Sequence, residues 1–312
     1  MECCPLGKAR ATADAGIMET ITDLAALIDR HAGMDGNFDT VLPRVGVIRS
    51  SATTEPLHTL YKPSCCIVAQ GRKRATIGDT SYIYDAAHYL VVGVDLPVIG
   101  AVIEASPDAP YLCLRLEFDR TLLNEMIAGS PTRDENPAAA RVSETTPRLV
   151  DAAARLLGLL DTPEDAPMLA PLVEREILHR LISGPQGGLI RQIASGESRL
   201  NQIGRAVDYV CRNFESPFAI EELADIAGMS SSSFYEHFRA AMAMSPLQFR
   251  TQIRLQEARR LMIVEGMTAA EAGFRVGYDS PSQFNRDYVR VHKETPKRDV
   301  ARMRTPQSLS GY

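Results

Sequence analysis

Two short stretches carry the side chains that could read a base pair. In "GYDSPSQFNRDYVR", Gly277 to Arg290, the aromatic residues Phe284 and Tyr288 mark one apolar edge of a helix. Ser282, Asn285, Arg286 and Val289 are left on the opposite edge. In "GMSSSSFYEHFRAAMAMSP", Phe234 and Phe238 mark the same apolar edge and leave Ser232, Tyr235, Glu236 and Arg239 outward. In the DNA major groove Arg pairs with guanine, Asn pairs with adenine, and Glu accepts from cytosine. These outward residues are therefore candidates for contact with DNA, with Arg239 and Arg290 placed for the phosphate backbone.

Helices must hold these edges, and the sequence specifies where they start. The two stretches superpose as Gly228/Gly277, Phe234/Phe284, Phe238/Tyr288 and Pro246/Pro296, an internal repeat of about 50 residues. Ser280, Pro281 and Gln283 form an N-cap, a first-turn proline and a capping-box partner. Ser245 with Gln248, and Thr268 with Glu271, repeat the capping box. Each unit reads as a helix, a tight turn at Gly and a second helix. The helix between the units, Leu247 to Glu265, has 19 residues, about 28 Å at ~1.5 Å per residue. Helices entering successive major grooves lie about 34 Å apart, which a rigid spacer of that size suits.

The charge is distributed accordingly. The chain of 312 residues has a net charge of −5, which argues against non-specific nucleic-acid binding. From Ser198 onward there are 16 Lys/Arg and 13 Asp/Glu, a balance of +3, so the remainder carries −8. That remainder is patterned differently. Between Val45 and Phe118 short runs such as "VGVIRS", "SCCIVAQG" and "YLCLRLEF" predict a β-sandwich or small barrel. From Asp119 to Gly184 the period turns helical, in "DRTLLNEMIAG", "PRLVDAAARLLGLL" and "PLVEREILHRLISG"; the last is either plain packing or a dimer seam.

The expected organisation is residues 1–40 as a lead and helix, 41–184 as the β-rich domain with its helical appendage, 185–198 as a Gly/Ser-rich linker, and 199–303 as an all-helical domain. Met1 and Met18 are both open as the start, because the first 17 residues are patternless. No apolar run is long enough to cross a bilayer and no signal-peptide core is present, so a cytoplasmic location without a membrane partner is expected.

The six cysteines have no zinc or secreted-disulfide spacing. Cys65 and Cys66 are neighbours in a predicted strand and point to opposite faces, while Cys113 shares a face with Tyr111, Arg115 and Glu117. Each thiol reads as a small buried hydrophobe. The functional alternative is an effector or redox site, if Arg115 or Arg72 lowers a thiol pKa. His58 and His88 stand alone, so no metal site, cofactor or catalytic residue is indicated. "GRKR", Gly71 to Arg74, reads as a solvated hairpin end.

The stretches "IEELADIAGMSSSSFYEHF", "SPLQFRTQIRLQEARRLM" and "FRVGYDSPSQFNRDY" resemble the DNA-binding domain of AraC/XylS-type transcriptional regulators. "LYKPSCCIVAQGRKRATIGD", "YDAAHYLVVGVDLPV" and "EASPDAPYLCLRLEFD" resemble the AraC-type amino-terminal domain, so the likeness runs from about Val41 to Val300. It implies an α+β chain: an N-terminal cupin-like β-barrel with a helical appendage, then a C-terminal all-α domain of seven helices with two helix-turn-helix units. The function implied is sequence-specific binding of double-stranded promoter DNA. A small-molecule effector, a homodimer and RNA polymerase are the further partners it implies, and the family's base-reading face falls on Ser232, Tyr235 and Glu236 in the first unit and on Ser282, Asn285 and Arg286 in the second, in agreement with the outward edges. Three departures stand out. Ala243 replaces a helix-ending Gly, His292-Lys293 replace Phe-Gly, and Ala272-Gly273 replace a bulkier pair, which predicts strain and a thinner core in the second unit. The alternatives are a cupin-type enzyme or a DNA-repair methyltransferase carrying a similar helical reader.

Overall fold

The computed structural model describes residues 20–78, 80–127, 139–195 and 198–303. The lead, both candidate start methionines, Cys3 and Cys4 lie outside these residues. A first helix, α1, covers residues 20–32 and buries Leu24 and Ile28 completely.

Ten strands follow: β1 (Gly36–Asp39), β2 (Val45–Ser50), β3 (Leu57–Tyr61), β4 (Ser64–Gln70), β5 (Arg72–Ile77), β6 (Thr80–Asp85), β7 (His88–Val92), β8 (Leu96–Glu104), β9 (Tyr111–Glu117) and β10 (Ala140–Glu144). They form an antiparallel six-stranded sheet in the order β1-β2-β9-β4-β7-β10 and a four-stranded sheet in the order β3-β8-β5-β6. The sheets do not close into one hydrogen-bonded ring among the described residues, because β1, β10, β3 and β6 remain edges. β4 is buried at every position from Ser64 to Ala69, so both of its faces are covered, which its run of apolar residues permits.

Three strands lie where the sequence pattern shows none. β1 and β3 are short and carry little alternation, and β10 falls inside the stretch predicted to be wholly helical. Their backbones pair with β2, β8 and β7, and that long-range pairing outweighs weak local preference.

The appendage consists of α2 (Arg120–Ile127), α3 (Pro147–Gly158), α4 (Ala166–Ser183) and α5 (Gly187–Ala194). The last occupies the stretch expected to be a linker. Leu189, Ile190 and Ile193 are buried there, so packing of an apolar face orders a segment that its glycines alone would leave loose. Residues 196 and 197 of that stretch are outside the described set.

The C-terminal half is built from α6 (Arg199–Asn213), α7 (Ile220–Ala227), α8 (Ser231–Met242), α9 (Pro246–Val264), α10 (Ala269–Arg275), α11 (Pro281–His292) and α12 (Pro296–Met303). α7 and α8 make the first helix-turn-helix unit, α10 and α11 the second, and α9 joins them. No described helix is long and apolar enough to cross a membrane.

Candidate nucleic-acid interface and interior cavity

The second helix of each unit starts and ends under local control. Ser230 accepts a hydrogen bond from the Ser233 backbone N–H (3.4 Å), and Ser280 accepts one from the Gln283 N–H (3.2 Å). Both halves of the capping box are made at Ser245/Gln248 and Thr268/Glu271. At Ser280/Gln283 only the Ser280 half is present. The turn before α11 needs glycine: Gly277 has φ 88°, and a Cβ there would lie 2.1 Å from the Glu215 carbonyl oxygen. At their other ends α8 and α11 stop at Ala243 and Lys293, both left-handed, with φ 54° and 59°.

The aromatic pairs hold the two helices in equivalent ways. Phe234 and Phe238 pack with ring centroids 5.5 Å apart, as do Phe284 and Tyr288, and all four are wholly buried. That burial turns Ser232, Tyr235, Glu236 and Arg239 outward on α8, and Ser282, Asn285, Arg286, Val289 and Arg290 outward on α11, all exposed. Arg290 is paired with Asp287 at 3.0 Å.

The two units differ in their supports. The Tyr288 hydroxyl donates to Asp299 Oδ2 (2.7 Å), and Asp299 accepts two bonds from Arg259 (2.8 and 2.9 Å). Burial raises the Asp299 pKa, but the Arg259 guanidinium, Tyr288 and Arg302 outweigh it, so the carboxyl is held below its usual value. The first unit has Phe238 at this position and makes no such bond. The thin core expected at Ala272-Gly273 is absent, because Phe284 fills the space. A Cβ on Gly273 would stand 2.9 Å from Phe284 Cγ, so the small residue is a fit and not a void.

In the N-terminal half a cavity of about 610 Å³ opens between the sheets. Alternation along β9 carries Tyr111, Cys113, Arg115 and Glu117 to its wall, and Cys66 reaches it from β4. Cys65 does not line it. The Cys66 thiol is pulled down to about 7 by hydrogen bonding with Cys113, against burial and with help from Lys73 and Arg115. The Cys113 and Cys65 thiols are pushed well up, the first by its bond with Cys66 and the second by burial. Arg72, the other cation considered for these thiols, instead lies 3.5 Å from Asp85 and 3.6 Å from Glu104.

The residue that sequence reasoning missed is Lys73. "GRKR" is not a solvated hairpin end throughout: Arg72 and Arg74 are exposed, but Lys73 lines the cavity. The available signal was the period of two through buried Ala75 and Ile77, which puts Lys73 on the inward face. His58 is not isolated, since its ring lies 4.2 Å, centroid to centroid, from His292. Among the described residues no group of three or more His, Cys, Asp or Glu is arranged to hold a metal.

Residues 41–189 match the AraC-type transcriptional regulator N-terminus family, and residues 223–302 match a helix-turn-helix domain family. The chain is 32% identical over 123 residues to RclR, an RCS-specific HTH-type transcriptional activator of Escherichia coli, covering 39% of this chain and 37% of that protein. It is 26% identical over 153 residues to the HTH-type transcriptional regulator ExsA of Pseudomonas aeruginosa, covering 49% of this chain and 54% of that one. The chain thus spans about a third to a half of the length of these curated relatives. Among solved structures, ToxT from Vibrio cholerae, bound to (E)-4-(8-methylnaphthalen-1-yl)but-3-enoic acid, has the same fold with a TM-score of 0.55 at 11% identity, over 82% of this chain and 97% of that one. With two helix-turn-helix units joined by one long helix behind an AraC-type sandwich, the chain belongs to the AraC/XylS family of transcriptional regulators.

Proposed function

We propose that this protein is a sequence-specific regulator that binds double-stranded promoter DNA through α8 and α11 and takes a small effector in the cavity of its N-terminal half. The observation that carries the reading is the duplicated polar edge. Two capped helices, 50 residues apart in sequence as measured from Phe234 to Phe284, expose Ser, Asn, Arg, Tyr and Glu side chains opposite buried aromatics. Ser232, Tyr235 and Glu236 read one half-site, and Ser282, Asn285 and Arg286 read the other. Arg239 and Arg290 rest on the phosphates, and the bound protein obstructs or recruits RNA polymerase.

The decisive experiment is binding of the purified protein to its own upstream intergenic DNA, against scrambled DNA, at two salt concentrations. Preference for the intergenic DNA with affinity falling steeply in salt supports the reading, because neutralised phosphates release counterions. Binding that ignores both sequence and salt overturns it in favour of a protein-interaction role for the polar edge.

Self-association through α4 is part of the proposal. Met168, Leu169 and Leu172 are exposed by 74%, 41% and 59% on this helix, an apolar strip that a second copy would cover. Leu172→Glu is expected to shift the protein to monomer in sedimentation velocity while leaving its thermal unfolding unchanged.

A further inference from the structure

The cavity in the N-terminal half holds a cation that the protein itself does not neutralise. Lys73 Nζ lies 5.4 Å from the centre of the Tyr61 ring and 5.7 Å from that of Tyr111. Gly100 faces the same corner: a Cβ there would come within 3.2 Å of the Tyr61 hydroxyl and 3.3 Å of Lys73 Cε. The hydroxyls of Tyr61 and Tyr111 are buried and have no hydrogen-bond partner among the described residues. Carboxylates at the cavity wall are already engaged. Asp35 accepts from Arg49 and Ser51, Arg115 holds Asp39 and Glu117, and Glu55 faces Arg302 at 3.6 Å. Among the described residues no ion pair engages Lys73. Burial works against its charge, but Tyr61 beside it and the thiols of Cys113 and Cys66 outweigh that, and the Lys73 pKa stays above its ordinary value.

A charged donor and two phenolic donors directed into one enclosed space are costly unless an acceptor completes them. The other lining lysine, Lys62, is exposed to water, so the single charge of Lys73 is the one that calls for a negative partner inside, and a dianion would leave its second charge unpaired away from water. Elsewhere the wall sets apolar surface from Ile48, Leu57, Val102 and Met303 among the paired charges already named. The volume, about 610 Å³, suits a compact organic molecule. Resting on the reading of this half as the effector-binding part of a regulator, we propose that the cavity is a receptor site for a small monocarboxylate with an apolar body, its carboxylate accepting hydrogen bonds from Lys73 Nζ and the Tyr61 and Tyr111 hydroxyls.

The test is calorimetric titration of the full chain with benzoate, phenylacetate and octanoate, each beside its primary amide. At least one acid is expected to bind tenfold or more tightly than its amide. Lys73→Gln is expected to weaken that acid at least tenfold and Tyr111→Phe several-fold, with Arg74→Gln, on the exposed face of the same strand, unchanged. Thermal unfolding checks that each variant folds; should Lys73→Gln fail to fold, the acid-to-amide ratio and Tyr111→Phe carry the test. Equal binding of acid and amide, acid binding indifferent to Lys73, or no binding by any of the three acids overturns the assignment. DNA binding measured on the same samples separates the two readings. Specific DNA binding without acid binding removes the ligand class alone, whereas acid binding without specific DNA binding removes the regulator reading and leaves the site.

Discussion

At the scale of single residues the proposed DNA-binding role gives the two arginines of α11 different tasks. Arg286 is exposed at the middle of the polar edge, where a bidentate bond to guanine discriminates by about 1–3 kcal/mol. Arg290 lies one turn on, paired with Asp287 at 3.0 Å, and the proposed reading assigns it to a phosphate. Arg286→Ala is therefore expected to relax preference at one base pair, and Arg290→Ala to weaken all sequences alike and flatten the salt dependence; a binding-site selection run on both variants reads the difference. Equal effects would displace the assigned face. The α8 edge carries Glu236, which repels phosphate, so α11 is expected to supply more of the affinity.

At the scale of elements, the cost of the unusual helix ends is measurable. Ala243 closes α8 at φ 54°, a conformation that glycine adopts without its Cβ penalty. Ala243→Gly is expected to stabilise the protein by about 1 kcal/mol in thermal or chemical unfolding. Gly273→Ala goes the other way. Its new Cβ would press on the Phe284 ring from 2.9 Å, and overpacking of that kind costs about 1–3 kcal/mol. Loss of DNA binding in parallel with stability would show that Phe284 sets the position of α11. These element-level features were legible in the sequence, because caps and aromatic pairs act within four residues of each other. The fit of Gly273 was not, since the ring that fills its space is supplied by the following helix.

At the scale of the whole molecule, the N-terminal half touches the C-terminal ends of both α8 and α11. The Ala139 N–H donates to the Ala241 carbonyl at 3.3 Å. Gly78, at the β5–β6 turn, lies so close to Ala243 that a Cβ on it would be 2.1 Å from the Ala243 carbonyl oxygen. On the other unit His58 of β3 packs edge-on against His292, which stacks on Tyr288 at 4.2 Å. β3 also lines the cavity through Leu57 and Tyr61, so one edge strand borders both the cavity and the second helix-turn-helix unit. Burial first, then the nearby Arg259, lowers the His58 pKa to about 4, and burial with His58 and Arg259 lowers that of His292, while Asp299 opposes both. With folded pKa values below the free value near 6.5, the separated halves bind more protons than the docked ones. Docking is thus fully supported above about pH 6.5 and weakens progressively as pH falls towards 4. Hydrogen exchange at β3 and the end of α11 should quicken over that interval, and His58→Phe should remove much of the dependence.

The sequence by itself determined the helical units, their caps, the exposed polar edges on α8 and α11, and the inward set of β9, because each depends on periods of two or four residues along one segment. Only the tertiary structure decided that Lys73 faces a cavity beside Tyr61 and Tyr111, that β1, β3 and β10 exist, that the Gly-rich stretch before α6 is a buried helix, and that His58 meets His292. These outcomes depend on partners far apart in the chain: Lys73 and Tyr111, for instance, sit on strands of different sheets. No local period encodes which strands face each other, so the cavity becomes visible only when the two sheets are packed.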